Sequence, residues 1–241
     1  MVKYLECEQG SPRWLAARLG KPTASMYGCI VSPTGKPVTG AKRATYMAKL
    51  IGERLAGLSS DSFASAAMER GNELEPFARE WYEWSTLNPV AETGFGYDSE
   101  KRAGASPDGL VFDDGGLEIK CPLQVNHIKH LIAGVVPKDW IVQVHGCIWL
   151  CNRQWWDFVC FCDDPNVPNM RIRTERDEKM MAAFDEHIAA FCDELDETEA
   201  RIRAEYELPE REAIDLDKLS GICEDVETMW QGMDEMEASE L

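Results

Sequence analysis

A mixed α/β fold, with a central sheet flanked by helices, is predicted by three features of this chain. Apolar residues recur at helical spacing over residues 41–57, 68–87 and 175–207. Between them, residues 92–121 are cut by Gly and turn residues into short segments of strand length. A compact apolar run, WWDFVCFC at 155–162, has the length and aromatic content of a buried strand.

In order along the chain, residues 11–30 begin as a helix, with Ser11 as N-cap and Pro12 at the first helical position. The Pro- and Gly-rich stretch 32–40 is a loop. Residues 41–57 form a helix that places Tyr46, Leu50 and Ile51 on one side and stops at Gly57. The helix over 68–87 carries Leu74, Phe77, Ala78 and Trp81 at helical spacing, with Pro76 bending it or marking its start. Strands are predicted at 92–97, 103–105, 109–112 and 117–121, the last two joined by a turn at Asp113-Asp114-Gly115-Gly116. A helix at 139–151 precedes the strand at 155–162. The long helix 175–207 has Met180, Met181, Phe184, Ile188, Phe191 and Leu195 as its apolar stripe, and Pro209 follows its end. Residues 214–236 read as a further amphipathic helix.

The 241 residues suit one large domain or a domain with an appendage, and 44% apolar content supplies a sizeable core. The expected division is a domain over 1–207 and an acidic amphipathic extension over 208–241. The net charge of −18 argues superficially against a nucleic-acid partner. Residues 175–241, however, hold 6 basic and 23 acidic residues, whereas residues 1–174 hold 19 and 20. The first two thirds can therefore carry a local basic groove. No stretch approaches the roughly 20 apolar residues of a membrane span. Glu6 and Glu8 stand where a signal peptide needs an apolar run, so a cytoplasmic protein without a membrane partner is expected. The nine Cys form no C-x-x-C pair and read as reduced, mostly buried thiols. The four His show no metal-ligand spacing.

The chemistry-bearing segment is SPDG at 106–109, the turn, and LEIKCP at 117–122. Alternate strand residues share a face. Leu117, Ile119 and Cys121 then point to the core, and Glu118 and Lys120 point together to the opposite, solvent side. The hairpin returns Asp108 to the same end. Two carboxylates so placed supply hard oxygen ligands for Mg²⁺, with the backbone carbonyl of Ile119 able to complete the shell. Lys120 can orient or deprotonate an attacking water, or offset transition-state charge. The constellation resembles that of a PD-(D/E)xK phosphodiesterase.

With its flanking motifs the chain resembles the lambda-exonuclease (YqaJ-type viral recombinase) family. The residues that carry the resemblance are Trp14 and Arg18 in WLAARLG, Thr23-Ala24-Ser25, Gly71 and Glu75 in RGNELEPFAR, SPDG, LEIKCP, Gln143 in QVHGCIW, and ERDEKMMAAFDE at 175–186. The order holds across residues 11–200. The resemblance implies a restriction-endonuclease-like core and a Mg²⁺-dependent (Mn²⁺ able to substitute) 5′→3′ exonuclease. Asp108 and Glu118 would be metal ligands, and Lys120 the catalytic lysine. Glu75 would be a further acid near the metals and Gln143 a helix-borne contact to the site. Arg18, Thr23, Ser25 and Ser106 would form a pocket for the 5′-phosphate. It also implies linear double-stranded DNA as substrate, a ring-shaped homotrimer, a single-strand annealing protein as partner, and a phage or prophage setting in a bacterial cytoplasm. The competing expectations are an endonuclease of restriction or resolvase type on the same core, an iron–sulfur nuclease with four Cys ligands, and an inactive DNA-binding adaptor.

Overall fold

The protein is described by a computed structural model covering residues 2–59 and 66–209. Its elements run β1 (Lys3–Leu5), α1 (Pro12–Arg18), a 3₁₀ segment (Ala24–Cys29), α2 (Ala41–Ala56), α3 (Ala66–Thr86), β2 (Val90–Ala91), β3 (Phe95–Asp98), β4 (Ala103–Ala105), β5 (Gly109–Val111), β6 (Gly115–Lys120), α4 (Gln124–Ala133), α5 (Lys138–Cys151), β7 (Trp155–Cys160), β8 (Met170–Glu175) and α6 (Glu178–Glu205). A three-stranded sheet has the order β1-β3-β4, and a five-stranded mixed sheet the order β2-β5-β6-β7-β8. Within the larger sheet β6 and β7 are parallel and the other pairs antiparallel.

The side-chain alternation of β7 explains the layering. Trp156, Phe158 and Cys160 enter the main core with Tyr27, Tyr46, Ile148 and Phe184, from the 3₁₀ segment, α2, α5 and α6. Trp155, Val159 and the following Phe161 enter a second cluster with Leu117, Ile119 and, from α3, Ala78 and Tyr82. The larger sheet is therefore covered on both faces. That burial overturns the expectation that Glu118 and Lys120 face solvent: Glu118 is fully buried and only Lys120 is partly open, its side chain 27% exposed.

Four further expectations are corrected. The helix begun at Ser11 does not run to residue 30 but ends at Arg18, and a 3₁₀ segment follows. Gly115 and Gly116 are not turn residues; they open β6, paired to Val111 and Leu110. A Cβ on either would meet the ring of Trp155 or Trp156 at 2.1–2.2 Å, so these glycines let two indoles lie flat on the strand. Pro76 lies inside a continuous α3, and Phe77 is exposed while Tyr82 takes its place in the core. Strands β1, β2 and β8 and helix α4 were not expected from the sequence. The apolar stripe of α6 is buried as expected, and Gly57 caps α2 in the left-handed region. Arginines of the body meet the α6 acids: Arg43 pairs with Glu194, Arg54 with Asp196 and Glu199, and Arg102 with Asp193 and Asp196. Six of the described cysteines are buried. The helix expected at 214–236 and most of the 208–241 extension lie outside the described residues.

Candidate active site

The centre forms where β5 and β6 part. Their ladder ends at the pair Gly109–Leu117. One step further, the Asp108 carboxylate takes the place of a strand partner, and its Oδ2 accepts from the Ile119 N–H at 2.6 Å. A strand residue presents its N–H and C=O to the same edge. The Ile119 carbonyl thus faces the side from which Asp108 approaches.

Glu118 points the other way from Ile119, toward α5. Its Oε1 accepts from Lys120 Nζ and from Gln143 Nε2, the latter at 2.5 Å. Its Oε2 is buried with no hydrogen-bond partner. Glu75 approaches from α3, where Arg79 one turn later donates from Nη2 to Glu75 Oε1 at 2.6 Å. Asp108, Glu75, Lys120 and Ile119 line one cavity of about 300 Å³ together with Gln9, Asn72 and Trp140. An adjoining cavity of about 660 Å³ shares Gln9, Asn72, Glu75 and Asp108 with it. A larger groove, about 910 Å³, runs between α2 and α6, and none of the expected site residues reaches it.

Electrostatics set this corner apart. Burial, with the Asp108 charge beside it, raises the Glu75 carboxyl to about 7. Burial likewise raises Glu118 to about 8; Lys120 offsets part of the effect and Asp108 adds to it. Asp108 is also pushed up by burial. Burial opposes the charged form of Lys120, but Glu118 and Asp108 outweigh it and hold the ammonium above its ordinary range. Three acids lie within electrostatic reach of one another, of one lysine and of one arginine, and the acids resist ionising there. A hard divalent cation meets that deficit.

Among the described residues no three His, Cys, Asp or Glu side chains stand together as a ready-made metal cluster. The donor set here is of another kind, two carboxylates and a backbone carbonyl. The unpartnered Glu118 Oε2 supplies an open ligand position, so the residues fit such an ion.

The remaining predicted residues are grouped in part. Trp14 Nε1 donates to Ser106 Oγ at 2.8 Å, and the Arg18 guanidinium lies over the Trp14 ring, 3.8 Å from its centroid. Ser106 is two residues from Asp108, which links this trio to the acids. Thr23 is buried and forms a bridge to Gly104, two residues before Ser106. Ser25 is exposed in the 3₁₀ segment. Sequence reasoning missed Arg79, Asn72, Gln9 and Trp140. The positions of Asn72 and Arg79 three before and four after Glu75 on one helix were a usable signal. Gln9 and Trp140 carried none. No helix among the described residues is long and apolar enough to cross a membrane.

A mixed α/β fold whose sheet carries a buried acid–lysine centre at the parting of two strands is thus the class that geometry defines. The chain belongs to the YqaJ-like viral recombinase domain family, whose profile matches residues 13–154. Among solved structures it is similar to an alkaline exonuclease (LHK-Exo) from Laribacter hongkongensis. The two are 36% identical with a TM-score of 0.73, over 82% of this chain and 98% of that one. The same exonuclease in complex with dAMP matches at 37% identity and a TM-score of 0.72, with the same coverage. A phage-related exonuclease from Haemophilus somnus 129PT shares the fold at 16% identity and a TM-score of 0.58, over 76% of this chain and 96% of that one. No curated protein matches the chain.

Proposed function

We propose that the chain is a Mg²⁺-dependent exonuclease that digests one strand of linear double-stranded DNA from a 5′-phosphorylated end, 5′→3′, for single-strand-annealing recombination. The observation that carries this reading is a buried Glu118 carboxylate with one oxygen held by both Lys120 and Gln143 and the other unpartnered, beside Asp108 on the N–H of the next residue. The likeness to an alkaline exonuclease over 82% of the chain supports it.

In this reading Asp108, Glu118 and the Ile119 carbonyl hold the ion. When bound, Mg²⁺ (or Mn²⁺) lowers the pKa of water and stabilises charge on the phosphate. Lys120, held protonated by its two acids, orients the attacking water and offsets charge on the phosphoryl oxygens rather than serving as the base. Gln143 fixes the Glu118 carboxylate, and Glu75 supplies a carboxylate raised to about 7, suited to handling a proton near neutral pH. Arg18, lying over Trp14, and Ser106 receive the terminal 5′-phosphate, with Thr23 and Ser25 at the neighbouring 3₁₀ start. A homotrimeric ring around the duplex and a single-strand annealing protein complete the proposal, in a bacterial cytoplasm.

The test is direct. The protein is incubated with Mg²⁺ and linear duplexes carrying either a 5′-phosphate or a 5′-hydroxyl, each strand labelled separately. Mononucleotide release from the 5′-phosphorylated strand is expected, abolished by EDTA. Internal cuts in a closed circle would transfer the chain to the endonucleases.

A further inference from the structure

We propose that Arg79 is a positioning residue of this nuclease centre, acting through Glu75 and the Asp108 main chain and not on DNA. The inference rests on the reading of Glu75 as part of the centre.

All three guanidinium nitrogens of Arg79 are committed. Nη2 donates to Glu75 Oε1 at 2.6 Å, Nε to the Asp108 carbonyl oxygen at 3.3 Å, and Nη1 pairs with Glu92 Oε2 at 3.0 Å. Its side chain is only 12% exposed. With every nitrogen engaged and the side chain mostly buried, only two of its five N–H groups remain, which leaves it poorly placed for a phosphate fork. The three contacts are unequal. Glu92 is 70% exposed, and an ion pair of that kind contributes little. The weight falls on the buried side, where a single planar group joins α3 to the peptide that carries Asp108.

That tether answers a physical difficulty. The Glu75 and Asp108 carboxylates repel one another across a partly buried cavity, as the upward shift of Glu75 in the presence of Asp108 reflects. Left alone, the Glu75 side chain relieves the repulsion by rotating toward solvent. Arg79 sits one helical turn away and holds one oxygen, so the other stays directed at the cavity. Arg70 fastens the far side of the same helix, donating from Nη1 to the Cys121 carbonyl oxygen at 2.9 Å, just beyond the end of β6. The two arginines thus bracket Glu75 and tie α3 to the loop before β5 and to the loop after β6.

The experiment is a double-mutant cycle on the full chain with Glu75→Gln and Arg79→Gln, and with Glu92→Gln as a control for the exposed pair. Losing a charge-assisted tether is expected to lower kcat about tenfold or more. The KM for duplex, and its Kd in EDTA-containing buffer, should stay within about threefold of the parent, since a group that touches no DNA contributes no binding. The double variant should be no more than about threefold slower than Glu75→Gln, the mark of two residues acting as one unit. Glu92→Gln should remain within about threefold of the parent. Should Arg79→Gln fold poorly, Arg79→Lys, which keeps the charge and loses the fork, carries the same cycle. Multiplicative losses, weakened binding in EDTA, or parental kcat in a folded Arg79 variant would overturn the inference while leaving the nuclease reading intact. Parental activity in Glu75→Gln would instead strike the reading of Glu75 on which it stands.

Discussion

Gln143 on α5 donates from Nε2 to Glu118 Oε1 at 2.5 Å, the same oxygen that Lys120 reaches from the end of β6. One oxygen of the carboxylate therefore takes both donors while Oε2 takes none. That asymmetry aims the free oxygen, and Gln143 helps set it. Replacing Gln143 by Ala is expected to slow hydrolysis about tenfold, the effect of one lost charge-assisted hydrogen bond. Gln143→Glu should cost more, because it places a second negative charge against a buried carboxylate. Parental kcat in both variants would remove Gln143 from the centre.

The burial of Glu118 makes its own substitution informative in two measurements. Glu118→Gln keeps the shape and removes both a charge that burial disfavours and the ion-pair partner of Lys120. The metal-free variant should stay folded and unfold no higher than the parent, because Lys120 loses its partner, while losing at least about a hundredfold in rate. Asp108→Asn and Lys120→Met should lose rate similarly. Calorimetry and a nuclease assay on the same preparations decide it: an inactive variant with no cooperative unfolding transition would speak only for misfolding.

The pH dependence of metal stabilisation follows from the raised carboxyls. Folded Glu75 and Glu118 hold their protons to about 7 and 8, well above their ordinary 4.5. The folded state therefore binds more protons than the unfolded chain across that window, and the metal-free protein loses stability as pH rises through it. A cation that neutralises the acids must displace those protons below pH 7 and meets ionised ligands above pH 8. The rise in Tm on adding Mg²⁺ should be small at pH 6 and clearly larger at pH 8.5. An equal rise at both would contradict the assignment of Glu118 to the ion and of Glu75 to its neighbourhood.

The sequence made one half of this centre readable and hid the other. Asp108, Glu118 and Lys120 announced themselves because a two-residue strand period and a short hairpin put them at one end of two neighbouring strands. The same period could not tell which face was wet. Helix α4 carries Val125, Ile128, Leu131 and Ile132 at helical spacing, a signal that went unread because the segment is short and no capping side chain marks its start; three of the four are exposed. Strand β8 alternates Arg171, Ile172 and Arg173 in a polar edge, and Gly115-Gly116 read as turn chemistry although their purpose is to seat two indoles. Gln9 enters the cavity from far along the chain, a tertiary fact without local trace.

A second buried acid, outside the centre, offers a stability test with the opposite sign. Asp157 on β7 is fully buried and accepts from Tyr82 Oη at 2.8 Å and from Arg173 Nε and Nη2, each at 2.8 Å. Burial alone would raise its carboxyl, but the Arg173 and Tyr82 hydrogen bonds outweigh it and hold the group below 3.8. A depressed folded pKa adds stability that is present above the unfolded value and is lost as pH falls through the folded one. Asp157→Ala leaves the buried Tyr82 hydroxyl without its acceptor and the partly exposed Arg171 and Arg173 without their acid, and should cost about 1–3 kcal/mol at neutral pH. The gap between parent and variant should narrow below pH 4 in urea titrations. A gap that persists unchanged at pH 3 would mean the loss is one of packing, not of charge.

The final prediction concerns the end of the DNA. Trp14 does two things at once, donating to Ser106 Oγ at 2.8 Å and presenting its ring to the Arg18 guanidinium at 3.8 Å. A guanidinium lying over an indole is held there by a cation–π contact, and its planar fork matches the oxygens of a phosphate. A terminal 5′-phosphate carries more negative charge than an internal one, and a charge-assisted contact to it is worth roughly 1.5–3 kcal/mol. Duplex with a 5′-phosphate should therefore be digested about tenfold or more faster than 5′-hydroxyl duplex, and Arg18→Ala should shrink that ratio toward one. Trp14→Phe keeps a ring beneath Arg18 and removes the donor to Ser106, so it should leave an intermediate ratio. Trp14→Ala removes both and should match Arg18→Ala. If the parent shows no preference between the two ends, the grouping of Arg18, Trp14 and Ser106 is packing of α1 against the loop before Asp108, and the phosphate pocket must be sought elsewhere.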